Sequence, residues 1–311
     1  MINKRNPVLL SYIGIVSVIL IWGLVPLAKK ALIGGSFSAA VYSTITTFSA
    51  ACVLLILSRH RLAELGVGYF KVAVPTGLCV GLASVLQALA YNFDTSPTNQ
   101  AFLENLSCIT VPVILLFAVR KKPSALTVAA SILCLLSSVV LAGVFDTGLS
   151  FSAADILNAL AGLLYGVNIA VTGIYAKKYH ASLYVMIQLF IQAAVSALMA
   201  LSFNYICIGG EPVDPFVFTP NLWLVLCVAC IGIMANAVCW TVRTSAMRYV
   251  SANVVAVMMP FSAVITGVAA VIVGQDRASS SLIIGAVLGL AASLMSSVND
   301  IRESKISNDD Q

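Results

Sequence analysis

Apolar residues fill this chain in long blocks separated by short polar breaks. A helix that crosses a membrane needs about 20 mainly apolar residues to span the hydrocarbon. On that ruler the pattern predicts ten helices, at about 8–28, 37–57, 70–93, 98–119, 125–145, 153–174, 182–203, 221–247, 251–273 and 281–298. Most connections are very short. The longest, Asn204 to Pro220, carries Gly209-Gly210 and Pro212, Pro215 and Pro220, and is expected to hold little besides a turn. The polar residues 299–311 are expected to form a disordered cytoplasmic tail. The first block follows Lys4 and Arg5 as a signal peptide would, but it is too long and ends in no small-residue cleavage site, so it reads as an uncleaved helix.

Within the blocks, polar positions gather on single helical faces. Asn236, Trp240, Arg243 and Met247 follow at spacings of four, three and four, which stacks them on one side of the eighth helix. A guanidinium at bilayer depth costs about 3 kcal/mol on insertion scales, so it must face protein or water and have a partner. The comparable acid is Glu104 on the fourth helix, with Gln100 and Ser107 on its face. The central expectation is that Glu104 and Arg243 line one polar cavity. The alternatives are a structural ion pair, or an Arg243 that snorkels to the interface beside Arg248.

Four further stripes bear on that cavity. Trp22, Pro26 and Lys29 share a face of the first helix, where Pro26 bends the helix and Lys29 either attracts anions or anchors the helix end. Ser84, Gln87 and Tyr91 share one on the third helix, and Tyr165, Asn168 and Thr172 one on the sixth. Gln188, Gln192 and Ser196 on the seventh read as interhelical hydrogen bonding. Gly77-x-x-x-Gly81, Gly162-x-x-x-Gly166 and Gly285-x-x-x-Gly289 let helix backbones approach closely, and Gly285 and Gly289 also offer a homodimer contact.

Composition confirms the class. The chain of 311 residues is 60% hydrophobic and 9% charged, with mean hydropathy +1.01, far from the roughly 25% charged residues of soluble domains. The fold class is therefore all-α and integral to the membrane. The net charge of +5 matters less than its placement. With the N-terminus cytoplasmic, that side holds Lys4, Arg5, Arg59, Arg61, Lys71, Arg120, Lys121, Lys122, Lys177, Lys178, Arg248, Arg302 and Lys305, while the far side holds Lys29, Lys30 and Arg277. The positive-inside bias thus puts both termini in the cytoplasm and the protein in the cell (inner) membrane as a multi-pass chain. Seven of the eight cysteines fall in apolar blocks, where cysteine behaves as a small hydrophobe, and Cys227-x-x-Cys230 lacks the further ligands of a zinc or redox site.

The two halves repeat one another. Ile21-Trp22-Gly23 corresponds to Leu164-Tyr165-Gly166, and Gln100-Ala101-Phe102 with Cys108 aligns with Ala252-Asn253-Val254 with Pro260 at an offset of 152. An odd number of helices in each half makes the second copy enter the membrane inverted. Such repeats place a substrate site near the midplane between them. The expected units are 1–148 and 149–298, followed by the tail at 299–311.

Ile21-Trp22-Gly23, the turn Asp94-Thr95-Ser96-Pro97 followed by Asn99-Gln100-Ala101-Phe102-Leu103, and Gly274-Gln275-Asp276 together resemble the EamA branch of the drug/metabolite transporter (DMT) superfamily. The resemblance implies a ten-helix inverted-repeat carrier with a central cavity and alternating access. Cys108 where such halves carry proline, Arg120-Lys121-Lys122 and Gln275-Asp276-Arg277 in place of Gly-Glu-Arg, and Arg243 at an ordinarily aromatic or apolar position depart from that pattern.

Enzyme readings fail on the residues. His60 and His180 sit in short loops beside basic residues, and no Gly-rich loop ends in Lys-Ser or Lys-Thr. Nothing implies a catalytic residue, a metal, a cofactor or a nucleic-acid partner. The expected function is secondary transport of a small polar metabolite, best an amino acid or a metabolite with an amino-acid head. Glu104 would take the ammonium and couple protons, Arg243 the carboxylate, and Trp22, Gln87, Tyr91, Tyr165, Asn168, Asn236 and Trp240 would enclose the rest. The alternatives are an anion, such as a phosphate ester or nucleotide, held by Arg243, Lys29 and Lys30, and a non-transporting receptor or scaffold.

Overall fold

The computed structural model describes residues 7–93, 100, 103, 106–120, 123–141, 152–208, 211–275 and 280–309. Their helices are α1 (Pro7–Leu32), α2 (Ala39–Leu57), α3 (Val67–Leu89), α4 (Ser107–Ala118), α5 (Ala125–Leu141), α6 (Ala153–Tyr175), α7 (Ala181–Ser202), α8 (Leu222–Gly232), α9 (Cys239–Ala246), α10 (Ala252–Met258), α11 (Phe261–Val273) and α12 (Ser280–Asp309). Seven helical runs are long and apolar enough to cross a membrane, counting α8 to α9 and α10 to α11 as continuous, and Ser107–Ala118, Ala125–Val140 and Ile283–Ser296 are shorter apolar helices. Large apolar side chains such as Phe117, Trp223, Ile272 and Ile283 stand exposed around the outside. In water that surface would be a liability, whereas against lipid it is the expected face. The chain is a helical, multi-pass integral membrane protein.

The blocks predicted at 8–28, 37–57, 70–93, 153–174, 182–203, 221–247 and 251–273 fall on the seven long runs, while those at 98–119 and 125–145 reach into residues outside the described ones; two differences are instructive. The eighth block is not one α-helix: between α8 and α9, residues Ile233–Val238 form a π-helical segment. The extra residue per turn rotates the face that α9 presents, and such segments recur at functional sites. The ninth block is broken at Pro260, whose missing N–H and ring end α10 and start α11. Pro26 sits inside α1, and carbonyls around it find partners on other helices. Gly23 accepts from the Thr266 hydroxyl (2.8 Å), Pro26 from the Tyr91 hydroxyl (2.9 Å) and Leu27 from the Gln275 amide (3.4 Å). This is the re-satisfaction that makes an intramembrane proline tolerable.

The longest connection does more than turn. Cys207–Ile208 and Glu211–Pro212 pair as a small antiparallel ribbon. Beyond it Asp214, 2% exposed, accepts hydrogen bonds from the backbone N–H groups of Ala39 (3.0 Å) and Ala40 (2.9 Å) and from the Asn92 amide (3.0 Å). Ser38 provides no side-chain cap for α2, so a carboxylate from the other half of the chain satisfies those first donors and meets the positive end of the helix. At the other terminus α12 continues to Asp309, where a disordered tail was expected. No glycine or proline follows Gly289 to stop it, and Arg302, Glu303 and Lys305 favour the helix.

Small residues set the tightest approaches. Cβ atoms placed on Gly77 and Gly81 would come within 3.1 Å of Gln188 Cα and 3.2 Å of Gln192 Cα, so α3 packs backbone-close on α7. Gly285 and Gly289, the candidate dimer face, meet Ser137 of α5 in the same chain, whose hydroxyl donates to the Gly285 carbonyl (2.7 Å). Gly232 lies where a Cβ would fall on the backbone of Thr46. A Gly232→Ala substitution must therefore push α2 from the start of the π-helical segment. We expect it to lower the melting temperature of the detergent-solubilised protein by several degrees, and an unaltered melt would show that this contact can yield.

Candidate functional site

A cavity of about 100 Å³ opens between the helices, enough for several waters or a small metabolite. Its wall is drawn from both halves: Trp22, Val25, Pro26 and Lys29 of α1; Tyr42, Ser43 and Thr46 of α2; Ser84 and Gln87 of α3; Ser107 of α4; Tyr165 and Ile169 of α6; Gln192 of α7; Ile231 and Gly232 of α8; Ala235 and Asn236 of the π-helical segment; Trp240 and Arg243 of α9; and Met259 and Ser262 beyond.

Arg243 is the structural focus of that wall. It is 2% exposed, so it does not snorkel to the interface. Its guanidinium carbon lies 4.3 Å from the Trp240 ring centroid and 5.4 Å from that of Trp22. The two indoles stand edge to face with centroids 6.0 Å apart. One guanidinium N–H donates to Asn168 Oδ1 at 2.7 Å. Cation–π contacts of this kind reach about 2 kcal/mol when desolvated, and an Arg fork held by an amide is oriented as well as stabilised. Trp22 is itself fixed, because its indole N–H donates to the Ala235 carbonyl at 2.7 Å inside the π-helical segment. The first helix and the interrupted one are thus tied together at the charge. Tyr165 completes the aromatic side, 6.3 Å from Trp240.

Toward the C-terminal end of α1, the Lys29 ammonium bonds Gln87 Oε1, which also accepts from the Tyr165 hydroxyl at 3.5 Å. Lys29 is therefore a cavity residue in this structure. Among the described residues that line the cavity, the charged groups are Lys29 and Arg243.

Of the residues expected at the site, Trp22, Gln87, Tyr165, Asn236, Trp240 and Arg243 meet in this one cavity. Asn168 lies behind it, fully buried, as the partner of Arg243. Tyr91 turns its hydroxyl to the Pro26 carbonyl and is not among the lining residues. Glu104 lies outside the described residues. Tyr42, Ser43 and Thr46 were not among the expected site residues, although Tyr42, Thr46 and Ser49 follow at spacings of four and three and so carried the signal, and Gln192 was read as a helix-to-helix contact only. Gln188 does behave that way, donating to Thr76 Oγ1 at 2.8 Å.

On the other side of Arg243 the protein is sealed. Tyr184 OH lies 3.0 Å from Thr76 Oγ1 and 3.3 Å from Thr172 Oγ1. Beyond it Tyr179 stacks on Tyr184 and Tyr175 and meets Tyr69 at a tilt, with centroids 4.6 Å apart. Arg248 fastens this end by donating to the carbonyls of Ala176 (3.1 Å) and Tyr179 (2.8 Å). Burial, and then the charges of Arg61 and Arg248, lower the pKa of His180 in the adjoining turn, which keeps the imidazole neutral among cations.

Residues 154–298 match the EamA-like transporter family, part of the DMT superfamily, so the resemblance read from the residues holds for the second half of the chain. Among solved structures, one described only as "Crystal structure of protein" aligns with 93% of this chain and 98% of its own, at TM-score 0.71 and 18% identity. That likeness concerns the fold. No curated protein matches the sequence.

The Asn168–Arg243 bond carries a stability prediction. Hydrogen bonds to a charged group contribute about 1.5–3 kcal/mol. Asn168→Leu should destabilise the detergent-solubilised protein by about that much, while Asn168→Asp retains the acceptor. Equal denaturation midpoints for wild type and Asn168→Leu would mean that the amide holds nothing.

Proposed function

We propose that this chain, whose residues 154–298 match the EamA-like transporter family, is a secondary transporter for a small carboxylate-bearing metabolite, in the first instance an amino acid. The observation that carries the reading is Arg243. Its guanidinium is buried, lies over the rings of both Trp22 and Trp240, and faces a cavity large enough for a small solute. A planar fork of donors set in a dry aromatic frame suits bidentate capture of a carboxylate. Trp22, Trp240 and Tyr165 offer ring faces to the remainder of the ligand. Glu104 retains the part its place on the fourth helix suggests, as ligand for the ammonium and as proton carrier.

Ten transmembrane helices in two inverted repeats, 1–148 and 149–298, frame this reading. The seven long spans and the three shorter apolar helices supply the elements, and the charge bias supplies the orientation, with both termini cytoplasmic and the inner membrane as the site. Alternating access would then be the rocking of one repeat against the other around the midplane site. A second reading is favoured by Lys29, which brings another cation to the same cavity. A dianion, such as a phosphate ester, would engage both ends.

Transport by the purified protein in proteoliposomes separates these readings. Labelled amino acids should be taken up by wild type. Arg243→Ala should abolish that uptake, and Glu104→Gln should remove its response to an imposed pH gradient. Competition by phosphate esters and none by amino acids would transfer the site to the second reading. Full uptake by Arg243→Ala would end the carboxylate reading altogether. Orientation has its own check. Cys207 is exposed in the connection between α7 and α8, so a membrane-impermeant maleimide added to intact cells should label it. Labelling only after lysis would reverse the topology.

A further inference from the structure

Two cavity residues have polar atoms that the fold leaves unused. Tyr42 on α2 is 2% exposed and Gln192 on α7 is 3% exposed. Both line the cavity. The Tyr42 hydroxyl and Gln192 Oε1 are buried and make no hydrogen bond. An orphaned buried polar group costs about 1–3 kcal/mol, so native structures rarely keep one without a use. Here two belong to residues that line the same space, on helices that pack along one another. Neither belongs to the aromatic frame around Arg243, which comes from α1, α6 and α9.

We infer that Tyr42 and Gln192 form a neutral hydrogen-bonding subsite that takes a hydroxyl or carboxamide on the substrate, beside the carboxylate subsite of Arg243. This rests on the carboxylate reading above and narrows it. Gln192 Oε1 can only accept, whereas a phenol both donates and accepts. One group that donates to the first and accepts from the second satisfies both. A single hydroxyl does so with one oxygen, and a carboxamide does so with its NH₂ and its carbonyl. A plain alkyl side chain does neither and would leave both atoms orphaned, which is the situation in which a site discriminates most strongly. The preferred substrate is therefore a small carboxylate bearing one uncharged hydrogen-bonding group, such as a hydroxy- or carboxamide-substituted amino acid.

The test uses probe pairs that differ only in that group: L-alanine against L-serine, and L-2-aminobutyrate against L-homoserine, with dissociation constants measured by titration of the purified full-length protein. Wild type should bind the hydroxyl member about tenfold more tightly, as one charge-free hydrogen-bond site allows. Tyr42→Phe and Gln192→Met should each erase that preference. Tyr42→Phe should also melt no lower than wild type, since it removes an unsatisfied hydroxyl. A lower melt would show that the phenol serves the fold and would overturn the assignment. A preference retained in both variants, or absent from wild type while Arg243→Lys still weakens every probe, overturns the subsite alone. Probes that bind Arg243→Lys as they bind wild type overturn the carboxylate reading alone. Failure of every probe to bind wild type overturns both.

Discussion

A guanidinium buried at membrane depth is the constraint around which the rest of this molecule is arranged. Removing that charge from water is costly, and the cost recurs in every conformation that keeps it dry. Arg243 answers it with three contacts from three helices: the Trp22 face from α1, the Trp240 face from its own helix and the Asn168 amide from α6. Each contact needs its helix at a set depth and rotation. The π-helical segment contributes here, because it offers the Ala235 carbonyl to the Trp22 indole and so locks the ring that covers the charge. Two helices distant in sequence are thereby joined at one side chain.

Much of the fold was legible because lipid imposes a simple rule. A backbone in hydrocarbon must satisfy itself, so spans are helices, and length and apolarity reveal them. The polar stripes were legible for the same reason, since a side chain such as Gln87 or Asn236 has to face inward. Which inward space each would meet was not legible. Tyr91 and Gln87 lie one turn apart on one stripe, yet the first bonds the Pro26 carbonyl and the second lies in the cavity. Gln188 and Gln192 are likewise one turn apart, and the first joins Thr76 while the second lines the cavity. Periodicity assigns a face. It does not resolve the few ångströms along that face that separate a helix contact from a ligand contact.

The connection between α7 and α8 shows a different kind of blindness. The run from Asn204 to Pro220 looked like a turn because it is rich in glycine and proline. Its significance lies in Asp214, whose carboxylate caps α2 across more than half the sequence. Capping signals are read locally, as a Ser, Thr, Asp or Asn just before a helix. Ser38 stands there and makes no such bond. When the capping group comes from elsewhere in the chain, a local signature cannot report it. The same holds for the π-helical segment, whose residues Ile-Met-Ala-Asn-Ala-Val carry no mark that separates them from an ordinary helix.

The two ends of the cavity differ in what holds them, and that difference bears on how a solute could pass. At the C-terminal end of α1 the wall includes Lys29 and Gln87, which with Tyr165 are joined by side-chain hydrogen bonds. At the far end of α3, about 27 Å away by helical rise from Gln87 to Tyr69, the seal is cooperative. Opening it would have to separate stacked tyrosines, release two Arg248 hydrogen bonds to backbone carbonyls and part Tyr184 from Thr76 and Thr172. Those groups sit on α3, α6 and α7 and in the turns next to α6 and α9, so no single rotamer change releases them; the helices must move as bodies. Arg243 stands between the two. A ligand that neutralised its charge would act where α1, α6 and α9 converge, and so on contacts made by helices that also close the seal.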